Sequence, residues 1–174
     1  KLTTAEMRRI GLCFNDGLID RTMYELGGTI ETVRLALQSP VGLACNLAGG
    51  THHAHRDFGR GFTILNDIAC AAHWALDNVA GVEKVVIFDC DVHQGDGTAA
   101  LFRDDPRVFT CSVHAQDNWP PDKHTSNLDV GLLSGLEDEA YLLQVAQALE
   151  LSFKHGRPDL VIYDAGCDIS TSDR

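Results

Sequence analysis

No run in this chain approaches the roughly 18–20 consecutive apolar residues that cross a bilayer, and its N-terminus carries no secretory or transit signal. No C-x-x-C pair occurs among its six cysteines (Cys13, Cys45, Cys70, Cys90, Cys111 and Cys167), and most of them sit in apolar runs. That pattern argues against a disulfide framework and for a reducing compartment, so the expected location is cytoplasmic. Positive charge is scarce: 14 Lys and Arg stand against 25 Asp and Glu, a formal net charge of -11. A chain that grips nucleic acid needs a basic surface, so direct nucleic-acid binding is not expected. The negative balance is compatible with steering a cationic substrate, although solubility alone also accounts for it. There is no internal repeat, low-complexity segment or linker. The Gly95-Asp96-Gly97 stretch lacks the spacing and the lysine of a phosphate loop.

What is present suits one α/β domain over residues 1–174, with 44% hydrophobic and 22% charged residues. Helical signals cover residues 3–9, Leu26 to Leu37, Asn66 to Asn78, Thr98 to Phe102 and Glu137 to Lys154. The last of these presents Ala140, Leu143, Val145, Ala146, Leu149 and Phe153 as its expected apolar face. Short apolar runs without alternation read as doubly covered strands at Gly42 to Leu47, Lys84 to Phe88, Val108 to Val113 and Leu160 to Tyr163. Strands separated by helices imply a mostly parallel sheet with helices on both faces. The aperiodic stretch from Ala115 to Asp129, which holds Asn118-Trp119-Pro120-Pro121, reads as a rim or lid at the sheet edge.

Chemistry concentrates in Asp89-Cys90-Asp91-Val92-His93-Gln94-Gly95-Asp96-Gly97, directly after the second apolar run. A parallel sheet presents its ligands at the carboxyl ends of its strands. Asp91 and His93 are two apart, so an extended backbone points them the same way. Carboxylate with imidazole suits zinc or another first-row metal better than calcium. The tandem His52-His53 is expected at the end of the first strand and Asp168 just past the last. Three strand ends delivering such groups to one edge read as a metal hydrolase.

These residues closely resemble the zinc-dependent histone deacetylase family, whose fold is the three-layer arginase/deacetylase α/β architecture. The resemblance rests on Gly-Gly-Thr-His-His-Ala (49–54), Gly-Phe-Thr-Ile-Leu-Asn-Asp (61–67), Asp-Cys-Asp-Val-His-Gln-Gly-Asp-Gly-Thr (89–98), Asp-Asp-Pro-Arg-Val (104–108) and Asp-Ala-Gly-Cys-Asp (164–168). Together the variants look most like the class IV branch and its bacterial relatives. The resemblance implies zinc held by Asp91, His93 and Asp168. It implies His53 as general base and acid, His52 as its electrostatic partner, Asp89 orienting His52, and Asp96 orienting His53. Phe62 falls where the family places one wall of an acyl-lysine tunnel. Trp119 falls near the opposite wall, where phenylalanine is usual. A structural potassium ion is implied beside the zinc strand, with ligands from Asp89, Asp91, His93, Ser112 and Val113. The implied activity is hydrolysis of the amide of an acylated lysine peptide or an acylated small amine. The family's catalytic tyrosine lies in a glycine-rich loop beyond the position of Asp168, and this sequence ends at Arg174. The expectation is therefore a domain lacking that loop and shortened at both ends.

Rival readings remain at this level. Asp91 and His93 alone could form a strand-end ion pair. A non-catalytic module binding metal or acyl-lysine would need the same residues without turnover. A two-metal, arginase-like ureohydrolase would need a further set of bridging ligands, and the sequence shows one Asp-x-His strand end. His55, His73, His114, His124 and His155 are expected to be structural or solvent-facing.

Overall fold

The computed structural model describes residues 2–173; Lys1 and Arg174, the ends of the expected single unit, lie outside them. Three helices contribute to the apolar layer on one face of a four-stranded sheet, and the long helix that precedes the last strand covers the other face. In chain order the elements are α1 (Thr4–Ile10), α2 (Asp16–Gln38), α3 (Asp67–Asn78), β1 (Val85–Asp89), α4 (Asp96–Phe102), β2 (Val108–Ala115), β3 (Leu128–Leu132), α5 (Asp138–Gly156) and β4 (Leu160–Asp164). The sheet order is β3-β2-β1-β4, and every pairing is parallel. This is the α/β class expected from the alternation of helices and strands.

β1 is buried along its whole length because both of its faces are covered. Val85 and Ile87 join Ile68, Ala71, Ala72 and Ala75 of α3 and Val33 of α2 in one apolar layer. Val86, Phe88 and Cys90 turn the other way, to Cys111, Val113 and Ala148 of α5. Strand period two therefore splits one apolar run between two cores. The register places Asp89 opposite Ser112 of β2 and Asp164 of β4, so three polar groups emerge at one level of the carboxyl edge.

Four expectations are corrected. Gly42 to Leu47 is a loop rather than a strand: Leu43 and Leu47 are exposed, and Asn46 donates through Nδ2 to Thr29 Oγ1 at 2.9 Å. The histidine pair therefore follows an anchored loop, not a strand. α2 begins ten residues before Leu26, capped by Asn15 Oδ1 on Leu18 N at 2.9 Å, and Gly27-Gly28 lie within it. Gly28 leaves room for Asn46 to approach the helix. β3 was hidden because Asp129 and Gly131 interrupt its apolar pattern; Asp129 accepts from Gln94 Nε2 at 2.8 Å, and a Cβ at Gly131 would overlap the Gln116 side chain. On α5 the face toward the sheet carries Tyr141, Val145, Ala148, Ser152 and Gly156, while Leu143, Leu149 and Phe153 are exposed. Small residues win that face because the sheet already presents Val86 and Phe109, which a Cβ at Gly156 would strike.

α3 and α4 hold the histidine segment from two sides. Asp67, the first residue of α3, accepts from Thr51 N at 2.8 Å, Thr51 Oγ1 at 2.6 Å and Thr29 Oγ1 at 2.5 Å. Asn66 caps the helix through Oδ1 on Ala69 N while its Nδ2 reaches the carbonyls of His52 and Ala54, both at 3.3 Å. Thr98 N of α4 donates to His52 O at 3.0 Å. Gly97 permits this approach, since a Cβ there would overlap the carbonyl oxygens of His52 and Ala54. Gly97→Ala is expected to cost about 1–3 kcal/mol of stability through overpacking, read as a lower midpoint in urea unfolding followed by circular dichroism. A midpoint equal to the parent's would show that this contact does not hold the segment.

Candidate functional site

The carboxyl edge of the sheet gathers two neighbouring constellations. The first is Asp91, His93 and Asp168. Asp91 and His93 follow β1, and Asp168 lies in the single 3-10 turn after β4 (Cys167–Ile169). His93 Nδ1 stands 3.0 Å from Asp91 Oδ1 and 3.1 Å from Asp168 Oδ2. One ligand atom from each of the three lies within 4.8 Å of the others. Two donors about 2 Å from one tetrahedral ion are separated by roughly 3.3 Å, so the set fits a divalent metal in both chemistry and spacing. Gly166 makes the convergence possible: a Cβ there would come within 2.5 Å of Asp91 Cα, so the loop after β4 packs directly on the β1 loop.

The second constellation is the histidine pair. His52 Nε2 and His53 Nε2 face each other at 2.9 Å. His52 Nδ1 meets Asp89 Oδ2 at 2.7 Å, and His53 Nδ1 meets Asp96 Oδ1 at 2.6 Å. All four side chains are buried. A buried carboxylate on the far nitrogen fixes each imidazole's tautomer and orientation. His52 Nε2 lies 3.8 Å from Asp91 Oδ1, which joins the two constellations.

The two rings differ in charge. Burial works against a charged His52, but Asp89, Asp164 and Asp91 outweigh it and raise its pKa to about 10. Burial also works against a charged His53, and the neighbouring His52 cation adds to it; Asp96 does not offset both, so the pKa falls below 6.5. At neutral pH His52 is therefore an imidazolium whose Nε2–H donates to the lone pair on His53 Nε2. His53 is neutral, with its proton on Nδ1 toward Asp96.

A cavity of about 510 Å³ opens above these groups. His52, His53, Asp91, His93 and Asp168 line it, and so do Phe62 and Trp119. Phe62 is 68% exposed, with φ +63°, and its backbone N–H donates to Ile10 O at 2.7 Å. Trp119 meets His53 edge to face, with ring centroids 4.5 Å apart and planes at 84°. Between them, Gly61 adopts φ +56°, where a Cβ would press on both the His53 and Trp119 rings. Ser112 and Val113 are buried in β2; Ser112 Oγ is 3.0 Å from His114 Nδ1. The structure thus brings the eleven residues singled out in the sequence to one end of the sheet, with Ser112 and Val113 behind the cavity rather than in it.

Sequence reasoning gave no role to four further residues. Asp164 lies beside Asp89 in register, its Oδ2 is buried without a hydrogen-bond partner, and that oxygen is 3.4 Å from His52 Nδ1. Burial and the adjacent Asp89 charge hold its pKa above the usual carboxylate range. The signal for it was its place in the Asp164-Ala165-Gly166-Cys167-Asp168 strand end. His55, expected to be structural or solvent-facing, contacts Asp96 Oδ2 through Nε2 at 2.9 Å. Arg60 carried no periodic or spacing signal, and Asp67 stood only within the helical segment from Asn66 and the Gly-Phe-Thr-Ile-Leu-Asn-Asp stretch, with no role attached.

A family model described as the histone deacetylase domain matches residues 3–174. An uncharacterized protein of Picosynechococcus sp. is 50% identical over 173 residues, covering 99% of this chain and 57% of that protein. Histone deacetylase 2 of Arabidopsis thaliana is 34% identical over 152 residues, covering 86% of this chain and 38% of that protein. Histone deacetylase 1 of Homo sapiens is 28% identical over 172 residues, covering 91% and 35% respectively. The chain thus spans about a third to somewhat over half the length of these relatives. Its parallel sheet and the family match together place the chain in the histone deacetylase family, with that family's arginase/deacetylase fold.

Proposed function

We propose that this site hydrolyses the amide of an acylated lysine, or of a related acylated amine, with zinc held by Asp91, His93 and Asp168. The observation that carries this reading is the junction of two donor sets at one cavity floor: three metal-type ligand atoms within 4.8 Å of one another, beside a histidine pair whose members differ in charge. Three protein ligands leave coordination positions for substrate and water. Zinc bound there would supply Lewis acidity toward the amide carbonyl and toward water.

The chain's own residues do the rest. His53, neutral and held by Asp96, takes the water proton at Nε2 once water replaces His52 as the partner of that lone pair, and returns a proton to the leaving amine. Asp96 stabilises the imidazolium that forms between those steps. His52, already charged, supplies fixed positive charge beside the reacting carbonyl and is held by Asp89. Phe62 and Trp119 flank the methylene chain of the substrate and exclude water from it. Asp89, Asp91 and His93 with Ser112 and Val113 of the next strand would hold a structural potassium ion behind the site.

Asp91→Ala or His93→Ala is expected to remove bound zinc, measured as metal content after dialysis. Full zinc occupancy in Asp91→Ala would sink the ligand assignment. His53→Ala is expected to keep zinc and lose about 10²–10⁴ in turnover of an acetyl-lysine peptide. Zinc and hydroxamate binding without His53-dependent turnover would instead assign the chain as a binding module.

The pH dependence follows from the sign of the His53 shift. The proton acceptor must be neutral, and its pKa is lowered, so kcat should hold as pH falls through the ordinary imidazole value near ~6.5 and drop only below it. A kcat profile between pH 4.5 and 8 tests this; an acidic limb centred at or above the ordinary value would contradict it.

A further inference from the structure

Asp96 is completely buried, yet His53 claims only one of its oxygens. Its Oδ2 accepts from His55 Nε2 at 2.9 Å and lies 3.2 Å from Arg60 Nη1. Arg60 does more than neutralise that carboxylate. Its guanidinium forks onto Asp122, with Nη2 to Oδ1 at 2.9 Å and Nη1 to Oδ2 at 3.2 Å. Its Cζ also stands 4.6 Å from the centre of the Trp119 ring. The arginine side chain is 12% exposed, whereas Asp122 is 70% exposed at the rim.

We propose that Arg60 is a positioning residue that ties the Asp96–His53 pair on the cavity floor to the rim loop bearing Trp119 and Asp122. This deepens the proposed deacylase reading and rests on it for the roles of His53 and Trp119. The geometry demands arginine rather than a general cation. One planar group stacks on the indole, presents two parallel N–H donors to Asp122, and keeps an edge toward Asp96. A lysine could supply charge to Asp96 but neither the stack nor the fork. The stack also fixes the indole edge-on to the His53 ring, so floor and wall move as one unit. The segment from Asn118 to Lys123 is braced internally by Lys123 Nζ, which donates to the carbonyls of Asn118 and Pro120, and its far end is anchored where Gln94 bonds both the N–H and the carbonyl of His124.

Two variants separate the two ends of this tether. Arg60→Gln cuts both; Asp122→Asn cuts the rim end alone. Trp119 is made the sole indole by Trp74→Phe, and its emission is read without any metal or substrate. Both variants should shift Trp119 emission to longer wavelength as the indole loses its cover, with the larger shift in Arg60→Gln. With zinc and an acetyl-lysine peptide, Arg60→Gln should lower kcat about tenfold, the scale on which a neighbouring opposite charge acts on a buried carboxylate, and raise KM. Asp122→Asn should raise KM roughly three- to fivefold, the scale of an exposed ion pair, with kcat retained. Arg60→Lys should recover part of kcat while leaving KM and emission as in Arg60→Gln. Parent-like emission in both variants, or a fall in melting temperature with emission, KM and kcat unchanged, would overturn the proposal. If the parent chain shows no His53-dependent turnover, the deacylase reading falls instead. The emission comparison then decides the role of Arg60 alone: a shift sustains the tether, and a parent-like spectrum removes it.

Discussion

Two adjacent imidazoles, His52 and His53, must each have a buried carboxylate on the nitrogen that points away from the other, and much of this structure answers to that requirement. The two carboxylates cannot come from neighbouring turns of one element, because the rings face each other across 2.9 Å. Asp89 is the last residue of β1, and Asp96 opens α4. The seven-residue separation between them is the whole loop that also carries Asp91 and His93. Fixing the rings therefore fixes the exit of the central strand, the start of the next helix and the metal-type ligands between them. The backbone of the pair is held in turn by Asn66 and Asp67, which couple it to α3. Leaving one buried Nδ1–H without its acceptor costs about 1–3 kcal/mol, so the polar network is part of the core and not an ornament on it.

The same arrangement concentrates negative charge. Asp89, Asp91, Asp164 and Asp168 meet at one end of two adjacent strands, and His52 is the cation embedded among them. Parallel pairing in register makes this unavoidable, since Asp89 and Asp164 sit side by side at matched positions. Such a cluster resists compaction unless positive charge enters it. His52 becomes charged for that reason, and Asp164 binds its proton more tightly than an ordinary carboxylate. A divalent ion among Asp91, His93 and Asp168 would act in the same direction, which couples metal affinity to the stability of the strand ends.

Much of this was legible in the sequence because the informative residues are local. The strand ending in Asp89, the two-residue spacing of Asp91 and His93, and the helical period over Asn66 to Asn78 each declare themselves within a dozen residues. The failures have a common cause: they depend on what another element presents. β3 pairs at the edge with β2, so it needs no continuous apolar run, and Asp129 and Gly131 disguised it. The sheet-facing side of α5 carries Tyr141 and Val145 but narrows to Ala148, Ser152 and Gly156 where Val86 and Phe109 leave no room, so the apolar stripe read from the helix alone is not the one that packs. Gly42 to Leu47 is apolar enough for a strand, but Asn46 bonds to α2 and keeps the backbone irregular. Arg60 and His55 reach Asp96 across the chain, so no spacing announced them.

The unequal charge of the two histidines follows from how their carboxylates are shared. His52 has Asp89 at hydrogen-bond distance, with Asp164 and Asp91 close behind, so three acids favour one cation. His53, whose burial already disfavours charge, has Asp96 at hydrogen-bond distance and only Asp91 behind it, and Asp96 divides its charge among His53, His55 and Arg60. A carboxylate already neutralised by a guanidinium supports a second cation poorly, and the charged His52 opposes it directly. Identical side chains in adjacent positions thus separate at neutral pH into a cation and a neutral proton acceptor. That separation is the environment-driven division of labour which acid–base chemistry near neutral pH needs. It makes Arg60 an electrostatic part of the floor as well as a mechanical link to the rim, since removing it would leave Asp96 more negative and draw His53 toward the charged state in which it cannot accept a proton.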